Sequence, residues 1–86
     1  MKELEKQMKA LANARRLAIL KYLKAKRSAS VGEIAEAIKL SFKATSKHLV
    51  LLYAAGIVSK EQEMLTVNYS ISPDLHKTTK QVVSSI

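Results

Sequence analysis

The chain has 86 residues and a formal net charge of +8, which leaves room for one small domain with a thin core. An excess of this size on so small a surface points to a polyanionic partner. The absence of cysteine excludes disulfides, thiolate metal sites and thiol redox sensing.

The longest apolar runs are far too short to span a bilayer, and no charged-then-apolar leader opens the chain, so a cytoplasmic protein without membrane contact is expected. The charge is unevenly spread. Residues 1–30 hold nine lysines and arginines against two glutamates, whereas residues 57–86 balance.

In chain order, Met1, Leu4, Met8 and Leu11 recur at alternating steps of three and four and predict a first helix with a narrow apolar seam. Asn13 interrupts and can cap a second helix, with Leu17, Ile19, Leu20 and Leu23 as its apolar side. Val31, Ile34, Ala35 and Ile38 form one buried stripe of a third helix. Ser30 and Glu33 are spaced for a reciprocal cap at its start. A three-residue turn ends at Ser41, a second N-cap candidate, and a fourth helix follows. Thr45, His48, Leu49, Leu51 and Leu52 are expected on its buried face; Lys43, Ser46, Lys47 and Val50 lie opposite. Gly56 supplies the left-handed residue that ends a helix at little cost.

After Gly56 the period changes to two. Ile57 and Val58 open a strand, Glu61–Met64 read as a polar turn, and Val67, Tyr69 and Ile71 alternate with Thr66, Asn68 and Ser70. Ser72 as N-cap, Pro73 at the first helical position and Asp74 near the positive helix end predict a last helix. Its face would be Leu75, Thr79, Val82, Val83 and Ile86, and its β-branched residues give it poor intrinsic propensity, so it needs packing.

Two short helices around a tight turn, the second with a basic and hydroxylic outer face, make a helix-turn-helix suited to a phosphate-lined groove. The fold class is therefore mainly α with a small hairpin: a winged helix-turn-helix of five helices and a two-stranded antiparallel wing. Residues 1–86 form one domain, with the helix-turn-helix at 31–55, the wing at 57–71 and outer helices at 1–12 and 73–86.

The segments Lys9–Leu23, Val31–Ile38, Leu40–Val58 and Val67–Ile71 resemble the ArsR/SmtB family of winged-helix repressors, and together they cover most of the chain. The family's S-x-H-L-x-x-L signature stands as Ser46, His48, Leu49 and Leu52, followed by Ala55, Gly56, Ile57 and Val58. The resemblance implies a homodimeric repressor that binds a palindromic operator in double-stranded DNA. It implies Ser41, Phe42, Lys43, Ser46, Lys47 and His48 as the DNA-binding set, with His48 nearer the packing side. It also implies a dimer interface on the first and last helices, at Leu4, Met8, Leu11, Leu75, Thr79, Val82, Val83 and Ile86. Arg16 matches a family arginine, for which a salt bridge and a phosphate contact are both open.

Three positions depart from the family pattern. Phe42 replaces a residue that is often polar, Val50 one that is commonly basic, and Glu61, Gln62, Glu63 and Met64 stand where a glycine and basic tip are usual. Acidic groups near phosphates repel, so this wing is not expected to grip a backbone.

Asp74 and His76 match half of the family's interfacial metal motif, too few ligands for a tetrahedral site, so no metal or other cofactor is expected. An enzyme is not expected either: the histidines sit on separate elements and two isolated glycines cannot form a phosphate loop. The rival reading is a winged-helix module that binds protein or RNA without recognising an operator, and Phe42 and Val50 are the residues that support it.

Overall fold

Each helix begins at a residue whose side chain accepts a backbone N–H, except the first. The computed structural model describes residues 1–86, with α1 at Lys2–Leu11, α2 at Ala14–Lys26, β1 at Ala29–Ser30, α3 at Val31–Ile38, α4 at Phe42–Ala54, β2 at Val58–Glu63, β3 at Thr66–Ile71 and α5 at Lys77–Ser84. Asn13 Oδ1 accepts from Arg15 N at 2.9 Å and Arg16 N at 3.1 Å, which starts α2 two residues after α1 ends. Ser30 and Glu33 form the reciprocal cap: Ser30 N donates to Glu33 Oε1 at 2.8 Å and Glu33 N to Ser30 Oγ at 3.2 Å. Ser41 Oγ accepts from Ala44 N at 3.1 Å and opens α4.

The turn between α3 and α4 is made by Lys39 in the left-handed region, φ 57°, after which Leu40 N donates back to Ala35 O at 3.0 Å. Gly56, at φ 77°, ends α4 in the same manner, and Ile57 N reaches Leu52 O at 3.0 Å. That reversal sends the chain straight into β2.

β2 and β3 pair antiparallel from Val58↔Ile71 to Glu63↔Thr66. The connection is two residues, Met64 and Leu65, with Met64 at φ 56°. The expected polar turn at Glu61–Met64 is therefore corrected: Glu61, Gln62 and Glu63 are strand residues, and the tip is apolar. The expected two-stranded hairpin also gains a third strand. Ala29 and Ser30 pair with Tyr69 and Asn68, giving the order β1-β3-β2. Two residues are too few to show a period of two, and Ser30 reads locally only as a cap.

The last helix starts later than expected. Ser72 Oγ accepts from Asp74 N at 3.2 Å in a turn, and α5 is capped instead by His76, whose Nδ1 accepts from Thr78 N at 3.1 Å. Ser72, Pro73 and Asp74 thus belong to the connection. Ser72 N donates to Ile57 O at 2.9 Å and pins that connection to the start of the wing.

Ile19, Leu20 and Leu23 of α2, Ile34 of α3, Leu49 and Leu52 of α4, and Ile57 are fully buried and form the centre of the core. Leu17, Ile38, Val67 and Ile71 pack around it. Leu11, Thr79 and Val83 are also buried inside the chain, because α5 folds back onto α1. These three expected interface residues are taken up by internal packing. Leu4, Met8, Leu75, Val82 and Ile86 are only half-buried.

Two side chains hold the outer helices in place through long-range bonds. Gln7, 1% exposed, donates from Nε2 to Ala55 O at 3.2 Å, tying α1 to the end of α4. Lys24 Nζ donates to Val83 O at 3.2 Å and Ser84 O at 3.1 Å, placing a cation on the negative end of α5. A helix rich in β-branched residues is stabilised this way by its surroundings rather than by propensity.

Candidate nucleic-acid interface

α4 lies with Thr45, Leu49 and Leu52 against the core and its opposite side in water. Lys43 and Lys47 are exposed there, Ser46 is half-buried between them, and Phe42 and Val50 are 62% and 60% exposed. Phe42 therefore does not pack into the turn; its ring sits in solvent at the helix start. Ser41 is exposed but its hydroxyl oxygen already accepts the cap bond. Leu51, expected on the buried face, is instead 52% exposed, because α1 covers the flank of α4 only in part.

His48 is half-buried on the same helix, facing the start of α2. Arg16 Nη1 lies 3.4 Å from His48 Nδ1, and Arg16 Nε donates to Ala10 O at 2.6 Å. Arg16 thus forms no salt bridge. It spans the end of α1 and the middle of α4 through a carbonyl and an imidazole. Burial, then the nearby Arg16 and Arg15 charges, push the His48 pKa below the ordinary histidine value. The ring is neutral at neutral pH, and an Arg N–H directed at Nδ1 assigns the ring proton to Nε2.

The wing carries little that would attract phosphate. Lys60 Nζ sits 4.4 Å from the centroid of the Tyr53 ring, an arrangement that holds the ammonium over α4. Glu61 and Glu63 are exposed beyond it, and Glu63 Oε1 accepts from Asn68 Nδ2. The tip residues Met64 and Leu65 are 93% and 98% exposed.

A second cationic surface was not singled out by residue spacing. Lys6 and Lys9 of α1 and Arg16 of α2 line a groove with Leu51 and Ala54 of α4 and Ala55 just beyond it. The uneven charge of residues 1–30 was its only trace in the sequence, and nothing local told which of those lysines lie beside α4. Lys24, by contrast, is committed to the end of α5. Before α5, Asp74 and His76 bring no further ligand with them: no three His, Asp or Glu side chains come close enough to share a metal ion. No helix is long and apolar enough to cross a membrane.

The sequence model of the bacterial regulatory proteins of the arsR family matches residues 13–60, from the cap of α2 through α4 to the first half of β2. The chain belongs to the ArsR family. The matched stretch contains the whole helix-turn-helix, while α1, α5 and the wing tip fall outside it. The chain is 43% identical over 65 residues to the transcriptional activator HlyU of Vibrio cholerae, an alignment covering 76% of this chain and 59% of that protein. It is 40% identical over 67 residues to the nodulation protein NolR of Rhizobium meliloti, covering 78% and 54% respectively. The aligned part is thus little more than half the length of these two relatives.

The fold agrees over a longer stretch. The structure of reduced HlyU from Vibrio cholerae superposes with a TM-score of 0.82 at 35% identity, covering 96% of this chain and 83% of that one. A fragment from Mycobacterium bovis, described as a homodimeric winged helix-turn-helix DNA-binding domain, superposes with a TM-score of 0.82 at 28% identity, covering 98% and 74%. The winged helix-turn-helix architecture is shared throughout, and the ArsR family is one of regulatory proteins rather than enzymes.

Proposed function

We propose that this protein is a sequence-specific, double-stranded DNA-binding transcriptional regulator, acting as a homodimeric repressor at a palindromic operator. The observation that carries the reading is the outer face of α4, where the exposed Lys43 and Lys47 flank a half-buried Ser46 on a helix braced from behind by Thr45, Leu49 and Leu52. A rigid helix with short hydroxyl and long cationic side chains can enter a major groove about 12 Å wide and present donors to base edges and phosphates. Ser41 and Phe42 lie at the end of α4 that would lead into the groove. Phe42 suits the methyl group of a thymine, and His48 supports the helix from its packed side. The description of the Mycobacterium bovis relative as a homodimer supports the two-chain arrangement. Two reading helices related by a two-fold axis meet successive major grooves about 34–36 Å apart.

The exposed ring of Phe42 and methyls of Val50 favour a second reading, in which the same face docks a protein or an RNA. Selection of duplexes from a random pool separates the two. The DNA reading expects one recovered half-site repeated with two-fold symmetry. Lys43→Ala and Lys47→Ala should each weaken binding to it by about 1–3 kcal/mol where a base edge is read. A pool without enrichment, or affinity indifferent to both substitutions, refutes the assignment of α4.

A further inference from the structure

We propose that the ridge made by α1 and the start of α2 alongside α4 is a second binding surface for duplex DNA, holding the phosphate backbone in place of the wing. This rests on the reading of α4 as the groove-entering helix and extends it. Helical spacing puts Lys43, Lys47, Leu51 and Ala54 on one stripe of α4, within about 80° of each other. Leu51 and Ala54 line the groove whose other wall is Lys6, Lys9 and Arg16, a cavity of about 250 Å³. The stripe that carries Lys43 and Lys47 therefore continues through the apolar Leu51 and Ala54 to the cations of α1 and α2. Arg15, next to Arg16 at the start of α2, is exposed.

The contrast with the wing decides where a backbone is held. On the wing, the ammonium of Lys60 is placed over Tyr53, two carboxylates follow, and the tip is Met64 and Leu65. A polyanion is repelled there and attracted at the ridge. Glu5 intrudes on the ridge through its pair with Lys9 at 3.5 Å, but both groups are well exposed. Such a pair contributes little, and a phosphate can replace the carboxylate at small cost. Long lysine stems can also lie along the apolar floor of the groove while their ammonium groups reach outward. Part of the basic excess of the first third of the chain, Lys6, Lys9, Arg15 and Arg16, then has a defined use. It supplies sequence-independent affinity, while the short basic set on α4 reads bases.

The test compares the unmodified chain, a Lys6→Ala/Lys9→Ala/Arg15→Ala variant and Lys60→Ala on the selected duplex and a scrambled one, across a range of salt. All four positions are exposed, and circular dichroism and thermal unfolding verify the folds. Arg16 is left intact because it holds the corner together. The ridge variant should bind both duplexes more weakly by a similar factor and keep the ratio between them. Its salt slope should fall by about one unit for each phosphate that the removed cations had neutralised. Lys60→Ala should leave the slope in place. An unchanged slope in the ridge variant overturns the proposal. So does weakening confined to the selected duplex, or a slope reduction in Lys60→Ala equal to that of the ridge. If the unmodified chain binds neither duplex, the reading of α4 itself has failed. If it binds both and the ridge variant matches it, only the ridge has failed, and a small amphipathic anion becomes the better occupant of the groove.

Discussion

Arg16 and His48 lie thirty-two positions apart in sequence and 3.4 Å apart in space, and they couple the corner between α1 and α2 to the middle of the proposed reading helix. The same guanidinium caps α1 through Ala10 O, so the position of α4 depends on how α1 ends. The histidine accepts this neighbour only while neutral, because protonation would set two cations against each other in a half-buried site.

That relationship sets a pH dependence. The folded pKa of His48 is held below the ordinary value of 6.5 by burial, Arg16 and Arg15. As pH falls, the unfolded chain therefore takes up the proton first. Stability from this site is complete above pH 6.5 and declines as pH falls through that value toward the lower folded pKa. Urea midpoints measured on either side of pH 6.5 should show the decline, and His48→Gln should reduce it. A His48→Gln variant with the same decline would remove His48 as its source.

The cap of α3 makes a second, separable prediction. Ser30→Ala should cost about 0.5–2 kcal/mol by thermal or urea unfolding at neutral pH. Glu33 is held below the usual carboxylate range by the Ser30 backbone N–H, then the Ser30 hydroxyl, then Lys26. Its contribution is present above the unfolded value of 4.5 and is lost as pH falls through the folded one. Glu33→Gln should keep most of the stability at neutral pH and flatten the loss below pH 4.5.

Gly56 and Gln7 meet at the end of α4, and substitutions there act by different means. A Cβ on Gly56 would stand 3.6 Å from Gln7 Nε2, an ordinary separation, so the penalty of Gly56→Ala comes from the backbone at φ +77°. A cost of about 1–2 kcal/mol is expected. Gln7→Ala leaves the Ala55 carbonyl without its donor and opens space between α1 and α4. It should cost more than Gly56→Ala: about 1–3 kcal/mol for the missing bond, together with a cavity term. Equal midpoints for the two variants would contradict this ordering.

Adjacent valines on α5 should separate folding from association. Val83 is 5% exposed inside the chain, so Val83→Asp should unfold it. Val82 is half-buried, so Val82→Asp should keep the fold and place an unpaired charge in the proposed interface, shifting dimer to monomer. Light scattering with circular dichroism checks both. A folded, fully dimeric Val82→Asp protein would place the interface elsewhere.

Most local punctuation is legible in the residues alone. Asn13, Ser30 with Glu33, Ser41 and Gly56 act within a few residues of themselves, so their side-chain and backbone preferences determined where α2, α3 and α4 start and where α4 ends. The apolar period likewise marked Leu20, Leu23, Ile34, Leu49 and Leu52 for the core, and the basic face of α4 followed by subtraction. What tertiary structure alone decided depends on partners distant in sequence. Leu51 stays partly in water on the open groove between α1 and α4, while Leu11, Thr79 and Val83 are taken up by the packing of α1 on α5. His76 rather than Ser72 caps α5, because Ser72 is pinned to Ile57 and the chain must first clear the wing. Lys6, Lys9 and Lys24 look alike in the sequence; only the fold brings the first two beside α4 and sends the last to the end of α5. Local preference is a property of neighbouring residues, whereas the use of a charge depends on which surface the folded chain brings next to it.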